Sequence, residues 1–391
     1  MASIIDYAIK NANKDFEKMP FNHVDALVFA QLSYLFYDGI VPNEDDETYG
    51  VTFAQIAEAP DELYESMFPL ERTRERNKML LNAVAYSKRY GKIRVNYYVN
   101  NNDAEKETQF SAVTFINELG KVYIVFRGTD ATITGWRENF NMLYTSPVAS
   151  QILSVPYVEK VAQKTSRKIT LIGHSKGGNL AIYAGVNCQS KIKSRIGDII
   201  SFDNPGFTEE FINSKKYTSA VHKIHKYVPE QSMVGMLLSN KGTYTVVKSE
   251  GEGFYQHDPF MWIINNNEFE KGDGVATHTK MINFAFNDWV FGFTPSQRET
   301  FINAFFLIVE QTNRQNANTF GEWSENLKDN VPLVLDALKG LDSETKSLML
   351  KVFGQMFVSA KDGVTTTQKK IIKKGIKKIP GFRQIKDKKD E

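Results

Sequence analysis

The chain has 391 residues, of which 42% are hydrophobic and 24% are charged, and its formal net charge is +2. This composition is typical of a folded globular protein and excludes a disordered chain. The only cysteine, Cys188, excludes a disulfide framework and cysteine-based zinc or iron–sulfur sites. The length predicts two domains, or one large α/β domain with an extension.

Charge is distributed unevenly along the chain. Residues 369–391 contain ten Lys and Arg against three Asp and Glu, so the rest of the chain is acidic overall. Nucleic-acid binding is therefore not expected. The chain has no 18-residue apolar run, and residues 1–20 lack the apolar core of a signal peptide. These features predict a cytoplasmic protein, with secretion without a signal peptide as the open alternative.

The first third of the chain changes from a helical to a strand pattern. Residues 1–90 are predicted to be mostly helical, since 23–37 and 71–90 carry apolar residues at helical spacing. Residues rich in β-branched and aromatic side chains follow, and they predict strands at 92–100, 108–117 and 121–128. The last two strands are separated by a short turn and are expected to form a hairpin.

Later strands alternate with helical or irregular stretches, and they are predicted at 168–175, 198–206, 221–229 and 242–250. Two of them are short continuous apolar runs, as expected for strands buried on both faces of a mostly parallel sheet. The alternation favours an α/β fold. Beyond Pro295 the pattern is helical, at 298–313, 331–341 and 344–361.

The predicted organisation is an α/β domain over residues 1–295, including the N-terminal helices. A helical C-terminal region follows over residues 296–368, and a basic tail occupies residues 369–391.

The strongest chemical signal is the motif G-x-S-x-G at residues 173–177, between a predicted buried strand and a predicted helix. The glycines allow a sharp turn that presents the Ser175 hydroxyl at the head of the helix. The backbone N–H of Lys176 and the helix dipole would stabilise a developing oxyanion there. A tight turn without chemistry is the alternative, but the strand, the helix and the additional Gly178 favour a nucleophile.

A second polar segment follows the predicted strand at 121–128. Thr129 is a small residue at the end of this strand, in the position from which the second oxyanion donor of a G-x-S-x-G site usually comes. Its backbone N–H, with its hydroxyl, would complete an oxyanion hole with Lys176. An ordinary polar turn at a strand end is the alternative.

Together these segments resemble the class 3 (fungal-type) lipases, and more closely the Mbeg1-like (DUF2974) proteins, a bacterial branch of that superfamily. The resemblance covers roughly residues 20–290. It rests on VFRGT followed by GW, GHSKGGNLA, SFDNPGF, VPEQSMVGMLL and QHDPF. It implies the α/β-hydrolase fold, a mostly parallel central sheet flanked by helices, and hydrolysis of esters or phospholipids. Asn139 stands where the lipase pattern has Asp, which puts in doubt a carboxylate hydrogen bond to the oxyanion loop.

The general base is sought among six histidines: His23, His174, His222, His225, His257 and His278. The chain order of nucleophile, acid and histidine excludes His23. The side chain of His174 is held by the turn at the nucleophile and would point away. His222 and His225 lie inside a predicted strand, where a structural role is expected. His257 lies in the loop after the last predicted strand, which brings the base over the serine in this fold. It is favoured, with His278 as the lesser alternative.

Two carboxylates compete for the role of the acid that orients the base. Asp203 ends the strand after the nucleophile helix and is favoured because SFDNPGF matches the motif of the branch. Glu230 ends the next strand, near the place where class 3 lipases typically have their acid. Asp258 is adjacent to His257 and unsuited to reach the far ring nitrogen. A turn-forming side chain is the alternative for Asp203.

Two further segments have alternative interpretations. Residues 132–155 form either an apolar lid or acyl pocket, or an ordinary buried helix. The basic tail places Ile372, Ile376 and Ile379 on one helical face, suited to peripheral contact with an anionic membrane. A disordered, solubilising tail is favoured over this interpretation, because Gly375 and Pro380 weaken a long helix. The oligomeric state is not predicted.

The sequence therefore predicts a serine hydrolase that cleaves carboxylic esters, a lipase or phospholipase with a Ser-His-Asp/Glu triad and an acyl-enzyme intermediate. No nucleotide, flavin or metal motif occurs in it, so no cofactor is expected. The alternatives are an acyltransferase or thioesterase with the same site, a catalytically inactive hydrolase-fold binding module, and a secreted interbacterial toxin.

Overall fold

The computed structural model describes residues 2–46, 50–130 and 132–312, together with the single positions Ser343 and Ser347. The chain divides into two compact units. One comprises Met1–Asp130 and Thr145–Gly292, and the other comprises Ala131–Tyr144 and Phe293–Glu391. The predicted helices beyond residue 330 and the basic tail lie outside the described residues, apart from those two serines. The predicted domain boundary at residue 295 stays a prediction.

The helices are, in chain order, α1 (Ile4–Lys10), α2 (His23–Leu32), α3 (Phe53–Ala57), α4 (Asp61–Ser66), α5 (Arg74–Ala85), α6 (Ile133–Asn141), α7 (Ala149–Gln163), α8 (Lys176–Asn187), α9 (Ser190–Lys193), α10 (Glu209–Asn213), α11 (Lys215–Ala220), α12 (Thr277–Phe291) and α13 (Pro295–Thr312). Short 3-10 helices lie at Glu71–Thr73, Val221–Lys223, Gly253–His257 and Pro259–Met261. None of the described helices is long and apolar enough to cross a membrane. Helices α6 and α13 belong to the second unit, and the others to the first.

The strands of the main sheet are β1 (Val51–Thr52), β2 (Arg94–Asp103), β3 (Thr108–Ile116), β4 (Val122–Phe126), β5 (Ile169–His174), β6 (Ile196–Phe202), β7 (Ile224–Pro229) and β8 (Tyr244–Val247). They lie in chain order across the sheet. Pairing is antiparallel from β1 to β4 and parallel from β4 to β8. Two short strands, β9 (Ile264–Asn265) and β10 (Glu268–Phe269), form a separate antiparallel pair.

Both faces of the central strands are buried, which explains their continuous apolar sequence. All five residues of β4 are buried. Val125 and Ile172 pack into a cluster with the N-terminal helices, whereas Ile124 and Leu171 pack into a second cluster with α7 and α8. A mostly parallel sheet with helices on both faces confirms the predicted α/β-hydrolase fold, and the predicted hairpin is present as β3 and β4.

Several predicted strand boundaries needed correction, including that of the strand predicted at 198–206, which is Ile196–Phe202. The strand predicted at 221–229 begins at Ile224, because Val221–Lys223 is a 3-10 helix, and His222 therefore lies outside the strand. The strand predicted at 242–250 is reduced to Tyr244–Val247, and it is not the last strand of the chain. The strand predicted at 92–100 runs instead from Arg94 to Asp103, and its pairing with β3 shifts register between Asn96 and Val99.

A buried ion pair joins α2 to the turn that follows α5. Arg89 donates from Nε to Asp25 Oδ1 at 2.9 Å and from Nη2 to Asp25 Oδ2 at 2.5 Å, and neither side chain is exposed. The hydroxyls of Tyr90 and Tyr7 donate to the same carboxylate at 2.6 and 3.1 Å. Both carboxylate oxygens and the guanidinium are thus satisfied inside the core, as a buried pair requires.

Removing one partner of this pair should be strongly destabilising. We expect Asp25→Ala to lower the free energy of unfolding by about 3–5 kcal/mol, because the Arg89 charge is left buried without its carboxylate. The matched control is Lys88→Ala, which breaks the solvent-exposed pair of Lys88 and Asp15 and should leave the denaturation midpoint unchanged. Urea unfolding monitored by tryptophan fluorescence measures both, and equal midpoints for the two variants would contradict the prediction.

Candidate active site

Ser175 occupies a sharp turn between β5 and α8. Its backbone has φ 57° and ψ −132°, a conformation that is strained for a residue with a side chain. A Cβ atom at Gly173 would lie 2.2 Å from the carbonyl carbon of Gly177, and one at Gly177 would lie 2.1 Å from the Phe126 carbonyl oxygen. The two motif glycines are therefore required by backbone packing, and the turn leaves the serine side chain only partly buried.

Asp203 follows the strand next to that of Ser175. The backbone N–H of Ser175 donates to the carbonyl of Phe202, the last residue of β6, at 2.9 Å. Asp203 comes next, in a left-handed conformation with φ 43°, and its own N–H donates to the Tyr227 carbonyl at 2.8 Å. The serine and the fully buried carboxylate thus emerge side by side from the carboxyl ends of two parallel strands.

The imidazole of His257 reaches this carboxylate from the 3-10 helix after β8. Its Nδ1 lies 2.6 Å from Asp203 Oδ2. The other carboxylate oxygen, Oδ1, accepts from Ser232 Oγ at 2.5 Å and from the Gly235 N–H at 3.1 Å. Since an ionised carboxylate can only accept, Nδ1 carries the proton, and in the neutral ring Nε2 is left as a proton acceptor.

The alternative carboxylates are placed elsewhere. Glu230 directs its side chain toward Gly272, where an added Cβ would lie 2.7 Å from its Oε1. Asp258 Oδ2 accepts from Arg76 Nη2 at 2.8 Å. Among the described residues, neither carboxylate is hydrogen-bonded to His257. Of the two candidate acids, the structure therefore brings only Asp203 to the histidine.

His257 contacts the residue before Ser175, and no hydrogen bond between Ser175 and His257 occurs in the described part of the chain. The ring of His174 lies 4.5 Å from the His257 ring, and its Nε2 lies 2.8 Å from the His257 carbonyl oxygen. Bonds between nucleophile and base are often long in the absence of substrate and shorten in the reactive complex. The arrangement is compatible with proton transfer after substrate binds.

The two predicted oxyanion donors lie in segments that pass close to the serine. Lys176 is the first residue of α8, where the helix dipole favours negative charge. Its side chain is buried, and Nζ donates to the carbonyl and to Oε1 of Gln109 at 2.6 and 2.7 Å. Thr129 follows Gly128, where an added Cβ would lie 2.9 Å from the His174 carbonyl. Close backbone approach thus places both segments beside the nucleophile turn.

The other predicted features are separate from this arrangement. His225 Nε2 lies 3.0 Å from Asp198 Oδ1, and the His225 ring lies 4.9 Å from that of His23. Asn139 belongs to α6 in the second unit, so the predicted lid is divided between the two units and stays a prediction. In the described part of the chain, no group of His, Cys, Asp and Glu side chains is arranged to hold a metal ion.

Sequence reasoning missed the two donors that fix the acid, Ser232 and Gly235. Both lie in VPEQSMVGMLL, and the family resemblance of that segment was the available signal. A further support extends from Gly235. Its carbonyl accepts from Asn240 Nδ2 at 3.1 Å, and Asn240 Oδ1 accepts from the buried ammonium of Lys226 at 3.0 Å. Lys226 therefore steadies the loop that holds Asp203.

Burial lowers the pKa of Lys226 from its ordinary value of 10.5 to about 8. The folded chain thus releases this proton at lower pH than the unfolded chain. Between pH 8 and 10.5 the unfolded chain binds more protons, so Lys226 makes the protein more stable as the pH rises through this window.

We expect Lys226→Met to remove this rise, because methionine has no proton to lose. The free energy of unfolding of the wild type, minus that of the variant, should increase from pH 8 to pH 10.5 in urea titrations. The same substitution at exposed Lys216 serves as the control and should give a constant difference. Parallel curves for the wild type and Lys226→Met would contradict the assignment.

The sheet topology and the strained serine turn define the class of this protein, an α/β-hydrolase fold. At the carboxyl edge of its parallel strands, Ser175 follows β5 and Asp203 follows β6, and the His257 imidazole is hydrogen-bonded to Asp203. The family model described as Mbeg1-like matches residues 84–307, and the chain belongs to the Mbeg1-like family. The predicted resemblance to this branch is confirmed. No curated protein sequence matches the chain significantly.

Several solved lipase structures are similar to this chain at low identity. The Rhizomucor miehei lipase propeptide complex is 17% identical over 40% of this chain and 57% of that chain, with a TM-score of 0.33. A triacylglycerol lipase from Penicillium expansum is 11% identical over 47% of this chain and 82% of that chain, with a TM-score of 0.30. M37 lipase is 12% identical over 69% of this chain and 80% of that chain, with a TM-score of 0.33. The similarity to the Rhizomucor miehei lipase thus spans little more than half of that chain.

Proposed function

We propose that this protein is a serine hydrolase that cleaves carboxylic esters, of the lipase or phospholipase type. The observation that carries the proposal is the hydrogen bond of 2.6 Å between Asp203 Oδ2 and His257 Nδ1, formed beside the turn that presents Ser175. A buried carboxylate that fixes one tautomer of a histidine near a partly exposed serine is the arrangement that activates a hydroxyl for acyl transfer.

The first half of the reaction forms an acyl-enzyme. Ser175 Oγ attacks the ester carbonyl while His257 Nε2 takes its proton, and Asp203 stabilises the imidazolium that results. The carbonyl oxygen becomes an oxyanion, which the backbone N–H groups of Lys176 and Thr129 stabilise. Each such donor typically contributes about 10²–10³ in rate. His257 then protonates the departing alkoxide, and the alcohol leaves.

The second half regenerates the enzyme. Water enters, His257 Nε2 accepts one of its protons, and the resulting hydroxide attacks the acyl-enzyme carbonyl. Collapse of the second tetrahedral intermediate breaks the bond to Ser175 Oγ, which recovers its proton from His257. The products are a carboxylic acid and the free enzyme, so no cofactor is consumed.

An apolar acyl chain is favoured by the surroundings of His257. The Phe254 ring lies 5.4 Å from the His257 ring and is 47% exposed, and Tyr255 is 65% exposed. Exposed aromatic rings beside a base provide a surface on which a hydrocarbon chain can be removed from water. A cytoplasmic location, and contact of the basic tail with an anionic membrane, remain part of the proposal.

Labelling with a fluorophosphonate probe tests the nucleophile and the base. The wild type should be labelled, and Ser175→Ala and His257→Ala should not, because the first lacks the reacting oxygen and the second its base. The same two substitutions should lower kcat for p-nitrophenyl butyrate by a factor on the order of 10⁴–10⁶. Ser190→Ala and His278→Ala, at exposed positions, are the matched controls and should label like the wild type. Unlabelled, folded wild-type protein would favour the binding-module alternative.

Two amide substitutions test the identity of the acid. Asp203→Asn should lower kcat by about 10⁴, because the amide no longer fixes the reactive tautomer of His257. Glu230→Gln should leave kcat within a few-fold of the wild type, since Glu230 lies by Gly272 rather than by the imidazole. Steady-state hydrolysis of p-nitrophenyl butyrate and thermal melting are measured for both. The opposite ranking of the two variants would reassign the acid to Glu230.

A further inference from the structure

His174, the residue before the proposed nucleophile, has both ring nitrogens in hydrogen bonds. Its Nδ1 lies 2.9 Å from the hydroxyl oxygen of Tyr34, and its Nε2 lies 2.8 Å from the backbone carbonyl oxygen of His257. The ring is 3% exposed and packs on the His257 ring at 4.5 Å. A buried polar side chain thus links the nucleophile strand to the main chain of the proposed base.

The partners determine the protonation of this ring. Because a carbonyl oxygen can only accept, His174 Nε2 carries the proton and donates a hydrogen bond to the backbone carbonyl of His257. Burial and the neighbouring His257 hold the pKa of His174 well below its usual value of 6.5, so the ring is neutral and Nδ1 accepts from the Tyr34 hydroxyl. Both nitrogens are satisfied in one tautomer and one orientation only.

The loop that carries His257 is held by hydrogen bonds on both sides of this residue. Before it, Gln231 Oε1 accepts from the Gly253 N–H at 2.7 Å, and Trp262 Nε1 donates to the Gln256 carbonyl at 2.8 Å. After it, Arg76 Nη2 donates to Asp258 Oδ2 at 2.8 Å. The carbonyl of His257 itself accepts from His174 Nε2. The hydrogen bond to Asp203 fixes the imidazole of His257, but it leaves the main chain of that residue to be fixed by another contact.

We infer that His174 and Tyr34 are positioning residues that fix the main chain of His257, as Asp203 fixes its ring. This inference rests on the proposed function, in which His257 is the general base. Two anchors on one residue hold its Nε2 at a defined place, and an error of about 1 Å in such a place can cost 10² in rate.

Tyr34 also adjoins the segment that leads to Thr129. A Cβ atom at Gly128 would lie only 2.0 Å from the Tyr34 hydroxyl oxygen and 2.9 Å from the His174 carbonyl. The hydroxyl therefore lies between the end of β4 and the nucleophile turn. Through Tyr34 and His174, the N-terminal segment sets the relative positions of the oxyanion segment, the serine turn and the base loop.

Kinetics of His174 variants test the inference. We expect His174→Ala to lower kcat for p-nitrophenyl butyrate by about 10–100-fold with KM within two-fold, because the base is misplaced while the substrate surface is unchanged. His174→Gln should recover most of this loss, since its amide can donate to the same carbonyl. His225→Ala is the matched control, a histidine in the same sheet bonded to Asp198, and it should have no effect.

Spectra of protein labelled with ¹⁵N-histidine supply a readout that does not depend on activity. In the wild type, long-range ¹H–¹⁵N correlations should show His257 protonated at Nδ1 alone and His174 at Nε2 alone. In His174→Ala, His257 should stay protonated at Nδ1, because Asp203 still accepts from it. The displaced main chain should lengthen this hydrogen bond and shift the Nδ1–H signal of His257, whereas His225→Ala should leave that signal unchanged.

The outcomes separate this inference from the proposed function. An inactive wild type overturns the proposed function, and the spectra then decide the positioning role alone. Wild-type kcat in His174→Ala, or a loss of kcat with unchanged His257 signals, overturns the positioning role and leaves the serine hydrolase standing. If His174→Ala does not fold, Tyr34→Phe and His174→Gln carry the test. Tyr34→Phe should then lower kcat about 3–10-fold and His174→Gln less, and wild-type rates in Tyr34→Phe overturn the inference.

Discussion

The proposed active site depends on the parallel register of three neighbouring strands, β4, β5 and β6. Phe126 lies opposite Gly173, and His174 lies opposite Phe202. Because parallel strands end at the same edge of a sheet, the residues that follow them emerge together. Backbone hydrogen bonds between these strands therefore bring together the segments that carry Thr129, Ser175 and Asp203, independently of their side chains. The glycines of this edge permit the backbone approach that the register demands.

Burial of the acid imposes the second constraint. Asp203 is completely buried, and an ionised carboxylate is tolerated there only if its oxygens are paired and hydrogen-bonded. Ser232 and Gly235 supply donors to one oxygen, and His257 supplies the donor to the other. The same requirement that keeps the charge stable in the core also fixes the histidine tautomer. Stability and proposed chemistry thus use a single set of hydrogen bonds.

The features that local sequence determines were predicted well. Continuous apolar runs marked β4, β5 and β6, because strands buried on both faces have no polar side to interrupt the pattern. The serine turn was evident since glycine spacing is a local property of the backbone. His257 followed from the chain order of the family. The signals for the strands and the turn lie within a few residues of the features that they predict, whereas chain order is a long-range signal and the role of His257 as the base stays a prediction.

Long-range packing explains what the sequence left open. Asp203 and Glu230 directly follow adjacent strands, and the sequence favoured Asp203 only through the resemblance of SFDNPGF to the motif of the branch. The choice in the structure depends on Ser232 and Gly235, 29 and 32 residues after Asp203 in the chain. The pairing of Asp25 with Arg89 likewise spans 64 residues, and no local pattern indicates it. Polar networks of this kind are determined by the fold, so they become visible only when the fold is known.

The segment that precedes the family match contacts the proposed active site. The Mbeg1-like match begins at residue 84, yet Tyr34 precedes it and contacts His174 beside the serine. The buried ion pair joins Asp25, which precedes the start of the match, to Arg89, which lies within it. This pair fixes α2, whose end leads to Tyr34. A change in the packing of α2 would therefore reach the base loop through two hydrogen bonds, Tyr34 to His174 and His174 to His257. The residues before the matched segment thus belong to the same structural unit as the proposed site, and the geometry of that site depends on them.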